Sequence, residues 1–186
     1  MTTGTFDKQI RDAARKHALP AGLVAAIVAV ESGGNTWAWN PEPGYRYVVD
    51  ARAGRPFREM SAREVASAVP PTGFTALAGD SDQEWWGQRA SWGLMQVMGA
   101  VAREYGCKEP YLSRLCQPEI GLEYGCLHLA SLARRCFAKS YGWYETCAAY
   151  NGGMGAVQGL KHVSNPAYPA KVLRELGGTW PEPFKL

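Results

Sequence analysis

Helical periodicity runs through most of this 186-residue chain and breaks down once, between Trp37 and Pro71. Before the break, Phe6, Ile10, Ala13, Ala14 and Ala18 fall at helical spacing over residues 5–18. Leu19-Pro20 ends that stretch. Pro20 opens a second helix that presents Leu23, Val24, Ile27 and Val30 before Gly33-Gly34 stops it. Inside the break, prolines at 41, 43, 56, 70 and 71 with Gly44, Gly54 and Gly73 leave room only for a short extended piece, Tyr45 to Val49. Beyond it, Ser61-Ala-Arg-Glu64 and Ser81-Asp-Gln-Glu84 fit the capping-box pattern and predict short helices near 62–69 and 82–90. A helix over 92–105 is expected to carry Met95, Met98, Ala102 and Tyr105 on one side. Further helices are expected from Gln117-Pro118 through Phe137, over 143–150 with Asn151-Gly-Gly153 closing it, and over 166–176. Residues 177–186 read as an unpaired surface strap. The expectation is an all-α, mainly helical single domain spanning 1–186, with one long irregular insertion at about 39–90.

A chain of this length buries roughly 70% of the surface its unfolded form exposes, so it needs neither disulfides nor metals to be stable. With 46% apolar and 20% charged residues it reads as a soluble globular protein and not as a disordered chain. The longest strongly apolar run, Leu23 to Val30, falls far short of the ~20 residues of a bilayer helix, so no membrane insertion is expected. The start, Met1 to Lys8, has no basic segment leading into an apolar one, which points to synthesis in a cytoplasm without a cleavable signal. Twenty basic against seventeen acidic residues suit a polyanionic surface, but the charge is too diffuse for nucleic acid as a partner. Cys107, Cys116, Cys126, Cys136 and Cys147 match no C-x-x-C pattern, and their odd number favours reduced, buried thiols. His17, His128 and His162 are scattered. No metal site and no cofactor are expected.

The most informative single residue is Glu31. On a helix it stacks next to Ile27, flanked by Val24 and Val28, and it lies at the negative end of the helix dipole. Apolar neighbours and that dipole both favour the protonated form, which is what a general acid needs near neutral pH. Alone, a glutamate in a last helical turn is an ordinary surface residue. Two further stretches stand out: Ser91-Trp92-Gly93-Leu94-Met95-Gln96-Val97-Met98, and Ala148-Ala149-Tyr150-Asn151-Gly152-Gly153. Taken singly, these read as a buried helix start and an Asn-Gly helix cap.

In this order, Glu31-Ser32, Gly93-Leu94-Met95-Gln96 with Met98, and Ala149-Tyr150-Asn151-Gly152 together resemble the motif set of the soluble lytic transglycosylase family. That family shares the lysozyme-like fold with goose-type lysozymes. The likeness spans residues 5–176 and is greatest to single-domain bacteriophage members. It implies a peptidoglycan-cleaving enzyme, with glycan strands as its partner. Glu31 matches the family's only catalytic carboxylate, which protonates the glycosidic oxygen and later acts as base. Gln96 and Met98 match residues that contact the sugar, Tyr150 the tyrosine that holds the glutamate, and Asn151 a neighbour of the same site. Ser32 and Ala149 complete the motifs with structural roles.

Two departures stand out. Gly99 occupies a position where the family usually has proline, and Gln96 follows Glu31 by 65 residues where the family spacing is about two dozen. The additional residues carry or border Trp37, Trp39, Tyr45, Tyr47, Trp85 and Trp86, which read equally as a glycan platform and as a small core of the insertion's own. They also carry Glu42, Asp50 and Glu84. Each reads first as solvated surface, yet any of them reaching the site as a second carboxylate would make the protein a hydrolase of the muramidase type. A glycan-binding virion module that keeps the fold without turnover is the alternative outside enzymes. The expected place of action is the cell wall, reached from a host cytoplasm by release through a pore or by carriage in a phage particle.

Overall fold

The computed structural model describes residues 4–185. Met1 to Thr3, part of the segment read for a signal, and Leu186, the end of the expected strap, lie outside them. In chain order the elements are α1 (Asp7–Lys16), α2 (Ala21–Ser32), β1 (Trp39–Pro41), β2 (Val49–Asp50), β3 (Arg55–Pro56), α3 (Ala62–Val65), α4 (Ser81–Gln88), β4 (Ala90–Trp92), β5 (Val97–Met98), α5 (Gly99–Glu104), α6 (Pro118–Phe137), α7 (Trp143–Gly152), β6 (Val157–Gly159), β7 (His162–Val163) and α8 (Ala167–Glu175). Helix at 49% against 9% strand makes the protein mainly helical, as expected. The chain divides into two compact units, one of residues 1–34 with 126–186 and one of residues 35–125, so the division falls within α6.

In the first unit, α2 packs with α1 and α8, and α7 packs with α8. The α2 sequence is apolar almost all round until Glu31, and Leu23, Val24, Ala26, Ile27 and Val28 are buried, which is how a helix of that composition must sit. Pro20 stands just before its first turn and Gly33, at φ +62°, ends it in the left-handed conformation. On α7, Glu145 is buried and fully used: its carboxylate accepts the Gly142 N–H at 2.9 Å and the Lys161 N–H at 2.7 Å, tying the helix start to the β6–β7 turn. Among the described residues the C-terminal strap, 177–185, has no regular structure, yet it is anchored. Phe184 is buried against the rings of Phe137 and Trp143, and the Trp143 indole N–H donates to the Glu182 carbonyl at 2.9 Å.

The second unit holds the insertion. The helix expected over 92–105 starts only at Gly99; before it, β4 pairs antiparallel with β1 and β5. Gly93 at φ +69° and Gln96 at φ +48° are left-handed, which breaks a helix and makes the β4–β5 turn. Extended pairing comes at β2 and β3, slightly beyond the expected Tyr45 to Val49 piece, and the Asp50 carboxylate accepts the Arg52 and Ala53 N–H groups to close the turn between them. The Ser61–Glu64 capping box forms, but α3 makes a single turn because Arg89 takes the Val65 carbonyl and, with the Trp85 indole, the Ser67 carbonyl. Asp80, not Ser81, caps α4, accepting the Gln83 N–H at 2.8 Å.

Val48, Phe74 and Trp85 form the core of the inserted segment, with Phe57, Met60 and Trp86 against them. The aromatics of the insertion therefore divide: Trp85 is core, whereas Trp37, Trp39 and Tyr47 are exposed. Gly99 is explained by the same segment, since a Cβ there would strike the Gly87 carbonyl of α4. All five cysteines are buried as thiols.

Candidate functional site

Glu31 occupies the last turn of α2, where Gly33 ends the helix and Ser32 stitches its end. The Ser32 hydroxyl donates to the Val28 carbonyl and accepts the Gly34 N–H, both at 3.2 Å, so its role is to fix the turn that carries Glu31. The Glu31 Oε1 atom accepts a hydrogen bond of 2.5 Å from the hydroxyl of Tyr168, at the start of α8. Burial of the carboxyl is the dominant influence and pushes its pKa up to about 7, against a smaller downward pull from that hydrogen bond. Desolvation and the nearby Glu31 raise the phenol of Tyr168 far above its ordinary value, so it stays a donor.

Tyr150 lies on α7 with its ring 5.5 Å from that of His128. Burial and, after it, the charge of Glu31 raise its phenol well above normal, so Tyr150 also faces the electrostatic field of the acid. Burial drives His128 down to about 4, leaving a neutral imidazole beside this group at physiological pH. Asn151 is exposed, and its Oδ1 accepts from the Asn165 side chain at 3.0 Å. That bond ties the end of α7 to the segment that leads into Tyr168. Ala149 is fully buried.

The remaining expected site residues belong to the unit of residues 35–125. Gln96 uses its amide to build the β4–β5 turn: Oε1 accepts from the Ser91 hydroxyl at 3.0 Å, and Nε2 donates to the carbonyls of Ala38 at 3.1 Å and Gly93 at 3.0 Å. Met98 is a partly buried β5 residue opposite Ser91. The three candidate second carboxylates are engaged in different ways. Glu84 is buried, not solvated, and forms a two-pronged ion pair with Arg103, with Gln88 donating to the same carboxylate. Asp50 holds its own turn and accepts from Thr75, and these bonds keep its carboxyl below the usual range. Glu42 is exposed and accepts from the Asn40 amide at 2.8 Å.

Tyr168 was not among the residues expected from sequence. It shares a helix face with Val172, both buried, which marks a core position; nothing in its immediate sequence signals that its hydroxyl ends on an acid. Among the described residues no group of three or more histidine, cysteine, aspartate or glutamate side chains could hold a metal ion, and no helix is long and apolar enough to cross a membrane.

Comparison with curated proteins and with solved structures gives no match. The family model of the transglycosylase SLT domain matches residues 8–167, a span that contains all three motifs together with Glu31. The match covers most of the chain, and the chain belongs to the SLT family of lytic transglycosylases, which act on peptidoglycan.

Proposed function

We propose that Glu31 is the lone acid/base in a non-hydrolytic cleavage of the β-1,4 bond between N-acetylmuramic acid and N-acetylglucosamine. The observation that carries this reading is a carboxyl with its pKa pushed up to about 7, held by the neutral Tyr168 hydroxyl. At neutral pH a useful fraction carries the proton, and a phenol fixes its orientation without supplying a charge that would strip it.

Glu31 donates its proton to the glycosidic oxygen as the C1–O bond breaks, and the N-acetylglucosamine side leaves with a free hydroxyl. The carbonyl oxygen of the muramic acetamido group bonds to C1 in its place. The C6 hydroxyl of the same sugar then attacks C1 and expels that oxygen, while its proton passes to the Glu31 carboxylate. A 1,6-anhydro ring results, water is not consumed, and the enzyme returns protonated. Hydrolysis through a second carboxylate has less support, because the Arg103 pair neutralises Glu84, Asp50 is committed to its turn, and Glu42 is an exposed residue bonded by its neighbour Asn40. In this reading Tyr150 and Tyr168 position the acid, Asn151 steadies the segment carrying Tyr168, and Gln96 holds the β4–β5 turn of its own unit. Work at the wall after synthesis in a host cytoplasm, with phage-type delivery, is supported by the motif likeness to single-domain phage members and by the mild positive charge.

Mass spectrometry of muropeptides released from purified sacculi tests the reaction. Anhydromuramic ends are expected with the wild type and a loss of release of about 100-fold or more with Glu31→Gln; reducing muramic ends would replace this reading with hydrolysis.

A further inference from the structure

A cavity of about 420 Å3 lies wholly within the unit of residues 35–125, inside the roughly 300–1,000 Å3 range of small-molecule sites. Four aromatic rings line it, Trp39, Trp86, Trp92 and Tyr111, with Gln83 and Ser113 supplying polar groups. Trp39 and Tyr111 are 53% and 46% exposed, which is costly for large rings that merely close a core. Trp92 is fixed, because its indole N–H donates to the Gly87 carbonyl at 2.8 Å. Trp39 meets it at 6.0 Å and 45°, so the two faces are splayed and not stacked on each other. The wall is firm as well: α4 and the turn at Leu112 approach so closely that a Cβ on Gly87 would lie 3.0 Å from the Leu112 side chain.

We infer that this cavity is a second glycan site, and that it takes the uncharged N-acetylglucosamine ring of the wall polymer. Charge selects the ligand. Glu84 is the single acidic or basic side chain in the lining, and Arg103 and Gln88 already occupy its oxygens, so the cavity offers no charged partner to the carboxylates and ammonium groups of a stem peptide. Aromatic faces pack on the C–H faces of a pyranose, and a glutamine amide with a serine hydroxyl can both donate to and accept from an acetamido group and ring hydroxyls. Trp86, Gln83 and Glu84 come from α4, in the insertion, so the inserted residues supply an entire wall of the site. The proposal rests on peptidoglycan being the substrate, but not on which product forms.

The test titrates the full-length Glu31→Gln protein with the N-acetylglucosamine trimer and follows the indole N–H resonances of Trp39, Trp86 and Trp92 by NMR, each assigned by single substitution. Saturable shifts are expected at these rings, weakened about tenfold by Tyr111→Ala, the loss expected for an aromatic stacking partner, and to a smaller degree by Ser113→Ala. Both substituted side chains are exposed, so the variants fold. Absence of shifts at all three indoles, or an affinity that neither substitution changes, overturns the proposal. So do shifts produced by a free stem tetrapeptide and not by the trimer, which would make this a peptide site. Because the readout is confined to rings of the 35–125 unit in an inactive protein, its failure leaves the product assignment untouched, and a failed product assignment does not alter these shifts.

Discussion

Two glutamates, one in each unit, are shielded from water in opposite ways. Glu31 loses solvent and receives in exchange a neutral phenol, a donor that brings no charge. Glu84 loses solvent and receives a guanidinium through two parallel bonds of 2.8 Å, with an amide besides. Glu84 is the deeper of the two, Glu31 being only partly buried, but the partner sets the chemistry: a charged partner holds an acid as a carboxylate and makes it a structural tie, whereas a lone neutral hydroxyl leaves it able to keep and hand over a proton. A buried carboxyl is thus a candidate acid when no charge neutralises it and its oxygens are not taken up as structural ties, as those of Glu145 are by two backbone N–H groups.

The largest effect is expected from removing the tie between Glu84 and Arg103. Glu84→Ala leaves Arg103 buried without its partner, and the expected cost is about 3–5 kcal/mol in urea unfolding. Replacing both residues by leucine should recover most of it. If the single substitution costs under about 1 kcal/mol, the pair is not the anchor of α4 and α5 that its burial implies.

A somewhat smaller effect belongs to the acid. The folded-state pKa of about 7 lies above the ordinary 4.5, so between these values the native protein binds more protons than the unfolded chain, and stability must fall as pH rises through that window. The penalty is absent below the lower value and complete above the upper one, about 3 kcal/mol in all. Glu31→Gln abolishes it. The stability of this variant minus that of the wild type should therefore grow from pH 4.5 to 7.5 and then level off, as read by denaturant unfolding at each pH. A flat difference would mean that the carboxyl ionises as readily as one in water.

The same comparison shows which parts could be read from sequence. The helices of the first unit were legible because each advertises itself locally: Pro20 and Gly33 punctuate α2, and an unbroken apolar surface between them leaves one way to pack. Glu31 was legible as the sole carboxylate on that helix. The strands at 90–92 and 97–98 were not, because Ala90 to Met98 has a spacing that suits a helix, and what defeats it is Gln96 adopting a left-handed conformation secured by contacts with Ala38, fifty-eight positions earlier. The partnership of Glu84 with Arg103 was hidden for the same reason. So was Tyr168, whose hydroxyl meets an acid 137 residues away. Local signals set the elements; long-range bonds decide what each polar group is for.

The smallest effect is expected where the neutral partner of Glu31 loses a single oxygen atom. Tyr168→Phe keeps the ring buried on α8 and removes the hydroxyl that donates to Glu31. That hydrogen bond favours the ionised carboxyl, so its loss must raise the pKa of Glu31 further, while desolvation, the larger influence, remains. The alkaline limb of kcat/KM, which reports loss of the proton from the free enzyme, should move upward from about 7. A displacement of about one unit corresponds to the ~1.4 kcal/mol expected of a single hydrogen bond to a charged group. Turnover at pH 6, where Glu31 is protonated with or without the hydroxyl, then falls only through poorer orientation of the acid. A limb that moves downward instead would show that the phenol stabilises the protonated form, and the role of Tyr168 would be to guard the proton and not merely to aim it.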